Sequence, residues 1–270
     1  MLLHRFLAAL VAVPIIIPML IWGGSLVNMI FFTVAATIAL SEYFGMTFKE
    51  DPTTRRFGIW LGAMLFSAWG LAIVYEGNAL FFHLPAVAAF LAMFLFFLFR
   101  TGDMQTVATR VSLAMFGVFY VDLLVIYLVA IHNLADGWKY ILLLLAIIWM
   151  NDTGAYFAGK SLGKRKFYAK VSPKKTWEGS IGGALAGILA ALLINWIFSV
   201  GVSFGHVILL SILTGYLGQV GDLCESLIKR STDTKDSGSI IPGHGGILDR
   251  VDALIFGAPL FYYYITLVVL

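Results

Sequence analysis

The sequence predicts an all-α, polytopic integral membrane protein with about nine transmembrane helices and a cytoplasmic N-terminus. Three observations predict it. Of 270 residues, 60% are hydrophobic and only 12% charged, with a mean hydropathy of +0.92, whereas a soluble domain is roughly 25% charged. Nine apolar runs reach the length of about 20 residues that a helix needs to cross the hydrocarbon core. When loops are assigned to alternate sides of nine spans, 17 of the 18 Lys and Arg fall on one face, leaving only Lys139 opposite. The positive-inside rule puts that face in the cytoplasm and the C-terminus outside. One miscounted span would scramble the partition, so the charge pattern also supports the count.

The spans fall near residues 5–22, 25–45, 56–75, 80–99, 108–132, 138–158, 179–199, 206–229 and 250–270. The first, FLAALVAVPIIIPMLIW, follows a lone Arg5 as a secretion signal would. No small-residue cleavage site follows it and eight further runs do, so it reads as a retained helix. Between spans six and seven, KSLGKRKFYAKVSPKK (Lys160 to Lys175) holds seven cationic residues and no acidic one. Such a loop can serve topology or meet anionic headgroups, at about 1 kcal/mol per basic residue. Topology alone needs only a few of these charges. The single cysteine, Cys224, excludes an intrachain disulfide and reads as a small packed side chain. GGALAG (Gly182 to Gly187) has the small residues of a close helix contact, within a subunit or between two.

The acidic residues are the more informative. Asp152 lies near the cytoplasmic end of span six, Asp222 and Glu225 lie inside span eight, and Asp249 and Asp252 open span nine. Ionisable groups at membrane depth are costly and are functional candidates by default. Asp222, Glu225 and Lys229 follow intervals of three and four, so they share a helical face, with Asp222 roughly 10 Å below Lys229. Two helices joined by a loop of about twenty residues thus offer carboxylates near one membrane surface. Unscreened, those carboxylates would repel. A divalent cation with a preference for hard oxygen ligands relieves this, and magnesium is commonly held by one or two carboxylates plus substrate phosphates. Asp222 and Asp249 are the expected metal ligands, the competing reading being ion pairs with Lys229, Arg230 and Arg250.

The loop before span nine adds anion chemistry. GHGG (Gly243 to Gly246) can present successive N–H groups and leads into a helix N-terminus, where phosphate binds well. The combination describes a cytoplasm-facing site for a metal-bound polyphosphate, suited to a reaction between a nucleotide and a lipid.

SLIKRSTDTKDSGSIIPGHGGILDRVD, Ser226 to Asp252, resembles the signature of the phosphatidate cytidylyltransferases, also called CDP-diacylglycerol synthases. The matching positions are Ser226, Lys229, Arg230, Lys235, Asp236, His244, Gly245, Gly246, Asp249, Arg250 and Asp252. NDTGAYFAGKSLGK and SPKKTWEGSIGG, between Asn151 and Gly183, are similar to the family's upstream motif region. The resemblance covers roughly residues 150 to 252; spans one to five match only in being hydrophobic.

What the resemblance implies is transfer of CMP from CTP to phosphatidic acid, giving CDP-diacylglycerol and pyrophosphate, with magnesium required and a second, monovalent cation left open. It implies catalytic roles for Asp222, Asp249, Lys229, Arg230, Lys235, Asp236, His244, Arg250 and Asp252, and substrate binding by Lys174, Lys175, Ser226, Gly245 and Gly246. Residues 1–104 are expected to be N-terminal membrane helices and residues 105–270 the catalytic region. Expected partners are CTP, phosphatidic acid, membrane lipids and a second copy in a homodimer, with no nucleic acid. The expected location is the inner membrane, multi-pass, with the site facing the cytoplasm. His244 reads as a phosphate donor or loop-ordering group, with a proton carrier as the alternative. Asp122 and Glu42 are candidates for helix-to-helix hydrogen bonds as much as for the site. His4, His83, His132 and His206 form no ligand cluster, and Trp177 is either a base-stacking or an interfacial residue. The rival enzyme class is a CTP-dependent lipid kinase; an ion transporter would also place acids in helices, but would not need the glycine loop or the basic loop.

Overall fold

The computed structural model describes residues 14–100, 103–240 and 245–270. Residues 14–22 are helical and form α1; the remainder of the first expected span lies outside the described residues. The helices that follow are α2 (Gly24–Thr47), α3 (Pro52–Val74), α4 (Leu80–Leu98), α5 (Val107–His132), α6 (Gly137–Leu162), α7 (Trp177–Ile197), α8 (Phe204–Ser231) and α9 (Leu248–Val269). These eight are each long and apolar enough to cross a membrane. Large apolar side chains left exposed on them, Trp60, Leu91, Leu189 and Trp196 among them, mark surfaces that meet lipid. The expected all-α membrane architecture is therefore present. Among the described residues, a small antiparallel hairpin in the basic loop, β1 (Lys166–Tyr168) and β2 (Ser172–Thr176), is added to it.

The chain divides into two compact units, Met1–Asn133 with Asp236–Leu248, and Leu134–Lys235 with Asp249–Leu270. In the first, α2 and α3 approach closely because glycines face aromatic rings. Gly58 lies against Phe44, and Gly117 of α5 lies against Tyr43, where an added Cβ would overlap the ring. Tyr43 also donates its hydroxyl to the Leu113 carbonyl oxygen at 2.9 Å. Helix α5 carries a π-helical turn at Phe119–Leu123, a feature often found at functional sites. It brings Asp122, 1% exposed, to face Gly62 of α3. Asp51 caps α3 by accepting from the Thr54 amide at 3.1 Å, with Pro52 at the first helical position.

In the second unit, α6 and α7 pack along a seam of small residues. A Cβ added at Gly183 would lie 2.6 Å from the Asn151 carbonyl oxygen, and one at Gly154 would lie 2.8 Å from that of Gly182. The GGALAG motif is thus used inside the chain, letting two backbones meet as small-residue stripes do in membranes. Helix α6 runs four residues beyond its expected end at residue 158, to Leu162. Thr176 caps α7 through the Gly179 amide, and Asn195 closes the α7–α8 turn with a pair of hydrogen bonds to Val202.

Candidate active site

Helix α8 places Gln219, Asp222, Glu225, Ser226 and Lys229 at intervals of three and four, on one face. The second unit brings other elements to that face. Lys175, from β2, pairs with Asp222 at 2.7 Å and donates to the Gln219 carbonyl oxygen at 3.2 Å. Lys229 donates to Glu225 at 2.5 Å and to Asp249 of α9 at 2.6 Å. Ser226 donates weakly to Asp222 at 3.4 Å. Asp252, buried one helical turn along from Asp249, accepts from the Ala253 amide at 2.7 Å. It lies within electrostatic reach of Asp222, Glu225 and Asp152, and Asp152 lies within reach of Asp222, Lys175 and Arg250.

The cluster therefore sets five carboxylates, Asp152, Asp222, Glu225, Asp249 and Asp252, against three cations, Lys175, Lys229 and Arg250. Lys229 works hardest: Glu225 is fully buried, and a buried carboxylate without a cation would be strongly unfavourable. A hydrogen-bond chain fixes the three helices beneath. Ser180 of α7 donates to the Gln219 side chain at 2.5 Å, and Gln219 donates onward to Asn151 of α6 at 2.8 Å. Asn151 and Ser180 directly flank the Asp152 and Trp177–Gly179 segments, so this neutral network holds the charged one in register.

Not every expected site residue joins this cluster. Lys174 is exposed, because successive residues of a strand point to opposite faces. Only Lys175 turns inward. Arg230, Lys235 and Asp236 are exposed, and His244 lies outside the described residues. Gly245 has φ +83, a left-handed conformation that favours glycine. Gly246 is buried. The N-terminus of α9, expected to offer amides to phosphate, is differently engaged: the Glu42 carboxylate of α2 accepts from the amides of Ile247 at 3.0 Å and Leu248 at 2.8 Å. Trp177 meets Phe167 edge-on at 4.5 Å.

The donor set suits the expected magnesium in its chemistry. Every candidate ligand is an oxygen, the charge balance is negative, and the buried Oε1 of Glu225 has no hydrogen-bond partner among the described residues. Yet among the described residues no three of His, Cys, Asp and Glu are gathered as a metal cage. One oxygen of Asp222 and one of Asp249 are instead paired with the ammonium groups of Lys175 and Lys229.

The family model that matches this chain is the cytidylyltransferase family, over residues 3–268. The chain belongs to the cytidylyltransferase family. Among curated relatives, it is 42% identical to the phosphatidate cytidylyltransferase of Bacillus subtilis over 149 residues, which is 55% of each chain. It is 34% identical to that of Staphylococcus epidermidis over 263 residues and 33% identical to that of Staphylococcus aureus over 265, each covering 95% of this chain and 96% of the relative. This cytidylyltransferase is thus a membrane-embedded nucleotidyltransferase.

Two residues of the cytidylyltransferase cluster were visible as acids in the sequence without being assigned to the site. Asp152 and Glu225 join it here, Glu225 through the same three-residue interval that pointed to Asp222. Gln219, Asn151 and Ser180 carried no signal, since polar uncharged residues in apolar helices are as often packed as functional. Glu42 was marked as an acid near a helix end, but its partners lie 195 to 206 residues away in sequence.

Proposed function

We propose that this chain transfers CMP from CTP to phosphatidic acid, forming CDP-diacylglycerol and releasing pyrophosphate, at the cytoplasmic face of the inner membrane. The observation that carries the reading is the surplus of carboxylates clustered with Lys175, Lys229 and Arg250, beside a basic segment, Lys160 to Lys174, whose Lys160, Lys164, Arg165, Lys166, Lys170 and Lys174 are all exposed. Such a site attracts a polyanion through its cations and a divalent metal through its acids.

A phosphate oxygen of the lipid attacks the α-phosphorus of CTP. The new P–O bond forms as the bond to the β-phosphate oxygen breaks, and pyrophosphate leaves with the electron pair. A phosphate monoester has its second pKa near 6 and is mostly dianionic at pH 7, so the step requires no general base. What it requires is neutralisation and alignment of two anions. Lys175, Lys229, Arg230, Lys235 and Arg250 supply positive charge, with Lys174 at the entrance. Gly245 and Gly246 let the loop backbone approach phosphate closely, Ser226 orients Asp222, and Asp236 and His244 complete the loop. Asp222 and Asp249 would hold magnesium, with Asp252 supporting; when bound, it neutralises phosphate charge and polarises the reacting phosphorus.

Residues 105–270 supply these groups and form the catalytic region, residues 1–104 its membrane support, and the family resemblance adds a homodimer. The deciding experiment gives purified protein phosphatidic acid and CTP labelled separately at α and γ. The α label alone should enter lipid; γ label in lipid would establish the kinase reading.

A further inference from the structure

Within the first unit, a carboxylate of α2 is committed to a distant segment. Glu42 is 6% exposed, and among the described residues no Lys or Arg lies within ion-pair distance of it. Its oxygens accept from the Ile247 amide at 3.0 Å, the Leu248 amide at 2.8 Å and the Ser237 hydroxyl at 3.1 Å. Glycines at Gly238 and Gly246 make room for it: a Cβ at Gly238 would lie 2.5 Å from Glu42 Oε1, and one at Gly246 would overlap both Glu42 Oε2 and Ser237 Oγ. Both ends of the segment Asp236–Leu248 are therefore held by one side chain.

A buried carboxylate that trades water for N–H and O–H donors needs a reason for its placement. The backbone donors are the first amide of α9 and the one just before it, so the charge also sits at the positive end of that helix. Leu248 begins the helix, so fixing its amide fixes where the helix starts.

We infer that Glu42 is a positioning residue: it clamps Ser237–Gly238 and Gly246–Leu248 so that Gly245 and Gly246 are presented to the nucleotide phosphates in one arrangement. This rests on the CTP-dependent reading above. A further consequence is that the Ile247 and Leu248 amides are not the phosphate donors; those come from the loop and the cations.

The test has two arms. Hydrogen–deuterium exchange of the purified enzyme in detergent reads the amides of Ile247 and Leu248 directly, whatever the substrate. Steady-state kinetics with CTP and phosphatidic acid, normalised to folded enzyme, reads the positioning. Glu42→Gln presents an NH2 to donors and should raise exchange at those amides by about tenfold or more, the scale of one charge-assisted hydrogen bond. It should also raise the KM for CTP and lower kcat. Glu42→Asp, which keeps the charge with a shorter reach, should restore part of both, and Ser237→Ala, the mildest change, should shift both in the same direction. Unchanged exchange in Glu42→Gln overturns the clamp. Raised exchange with KM and kcat at wild-type values overturns the positioning role, since a merely structural residue alters the yield of folded enzyme and leaves KM in place. A wild-type enzyme with protected amides but no transfer of the α label refutes the proposed function, while the exchange arm still decides the clamp.

Discussion

Asp51 in the first unit and the acidic cluster in the second invert each other's stoichiometry. Asp51 is one carboxylate with two guanidinium partners, Arg100 at 2.9 Å and Arg110, plus two hydrogen bonds from Thr54. Every lone-pair direction it has is used, and the ends of α3, α4 and α5 are drawn together by it. The cluster around α8 has five carboxylates for three cations, and a buried oxygen of Glu225 has no hydrogen-bond partner among the described residues. A charge centre saturated by its own chain has nothing left to offer a ligand. One with surplus charge of a single sign is completed only by something from outside, and that separates the structural acid from the functional ones better than burial does.

The comparison breaks most sharply at Asp249. Asp249→Asn removes one of the surplus negative charges, so the folded protein should keep its thermal midpoint while turnover falls by roughly 10²–10³-fold, the cost of losing one electrostatic contact to the transition state. Lys229 keeps Glu225 as partner, which is why stability should survive. The loss should be the same at every pH assayed. Rescue by raising pH would instead identify Asp249 as a general base and remove the argument from surplus charge.

A smaller effect separates the neighbouring lysines of β2. Lys175→Ala leaves Asp222 without its cation and should lower kcat/KM by about ten- to a hundredfold, in the range for second-tier partners of a ligand. Lys174→Ala, on the opposite face of the strand, should stay within about threefold and show its effect mainly at low salt, as exposed charges do. Equal losses from both would mean that the hairpin acts as a diffuse field and that the inward geometry of Lys175 is incidental.

The lysine pair also marks the limit of what the chain shows when read as a string. Membrane helices are legible because a run of about 20 apolar residues has few alternatives, and all eight described spans lie within a few residues of their expected places. The helical intervals from Asp222 to Lys229 are legible for the same reason: a known helix turns an interval into a face. The hairpin is not, because KFY and SPKKT are too short and too charged to show an alternating pattern, so Lys174 and Lys175 look equivalent until the strand is seen. The π turn at Phe119–Leu123 leaves no mark on hydropathy, and it is what sets the direction of Asp122. Glu42 is the clearest case. Its role depends on contacts some 200 residues away, and no local interval encodes that.

At Asp51 the comparison predicts the smallest effect and the opposite kind. Burial alone would raise its carboxyl, but the hydrogen bonds from Thr54 and the charge of Arg100 outweigh burial and hold it well below the usual carboxylate range. A depressed folded-state pKa contributes stability that is fully present above the unfolded value, about 3.9, and is lost as pH falls through the folded one. Asp51→Asn should therefore lower the thermal midpoint in detergent by a few degrees at neutral pH, and the gap from wild type should narrow below about pH 4, as Asp in the unfolded chain takes up its proton. Partial exposure of the Arg100 pair keeps the effect modest. Because nothing about this centre is left for a ligand, KM and kcat of the folded enzyme should not move. A change in either, at a midpoint equal to wild type, would show that a saturated ion pair can still serve the reaction, and stoichiometry would no longer tell the two regions apart.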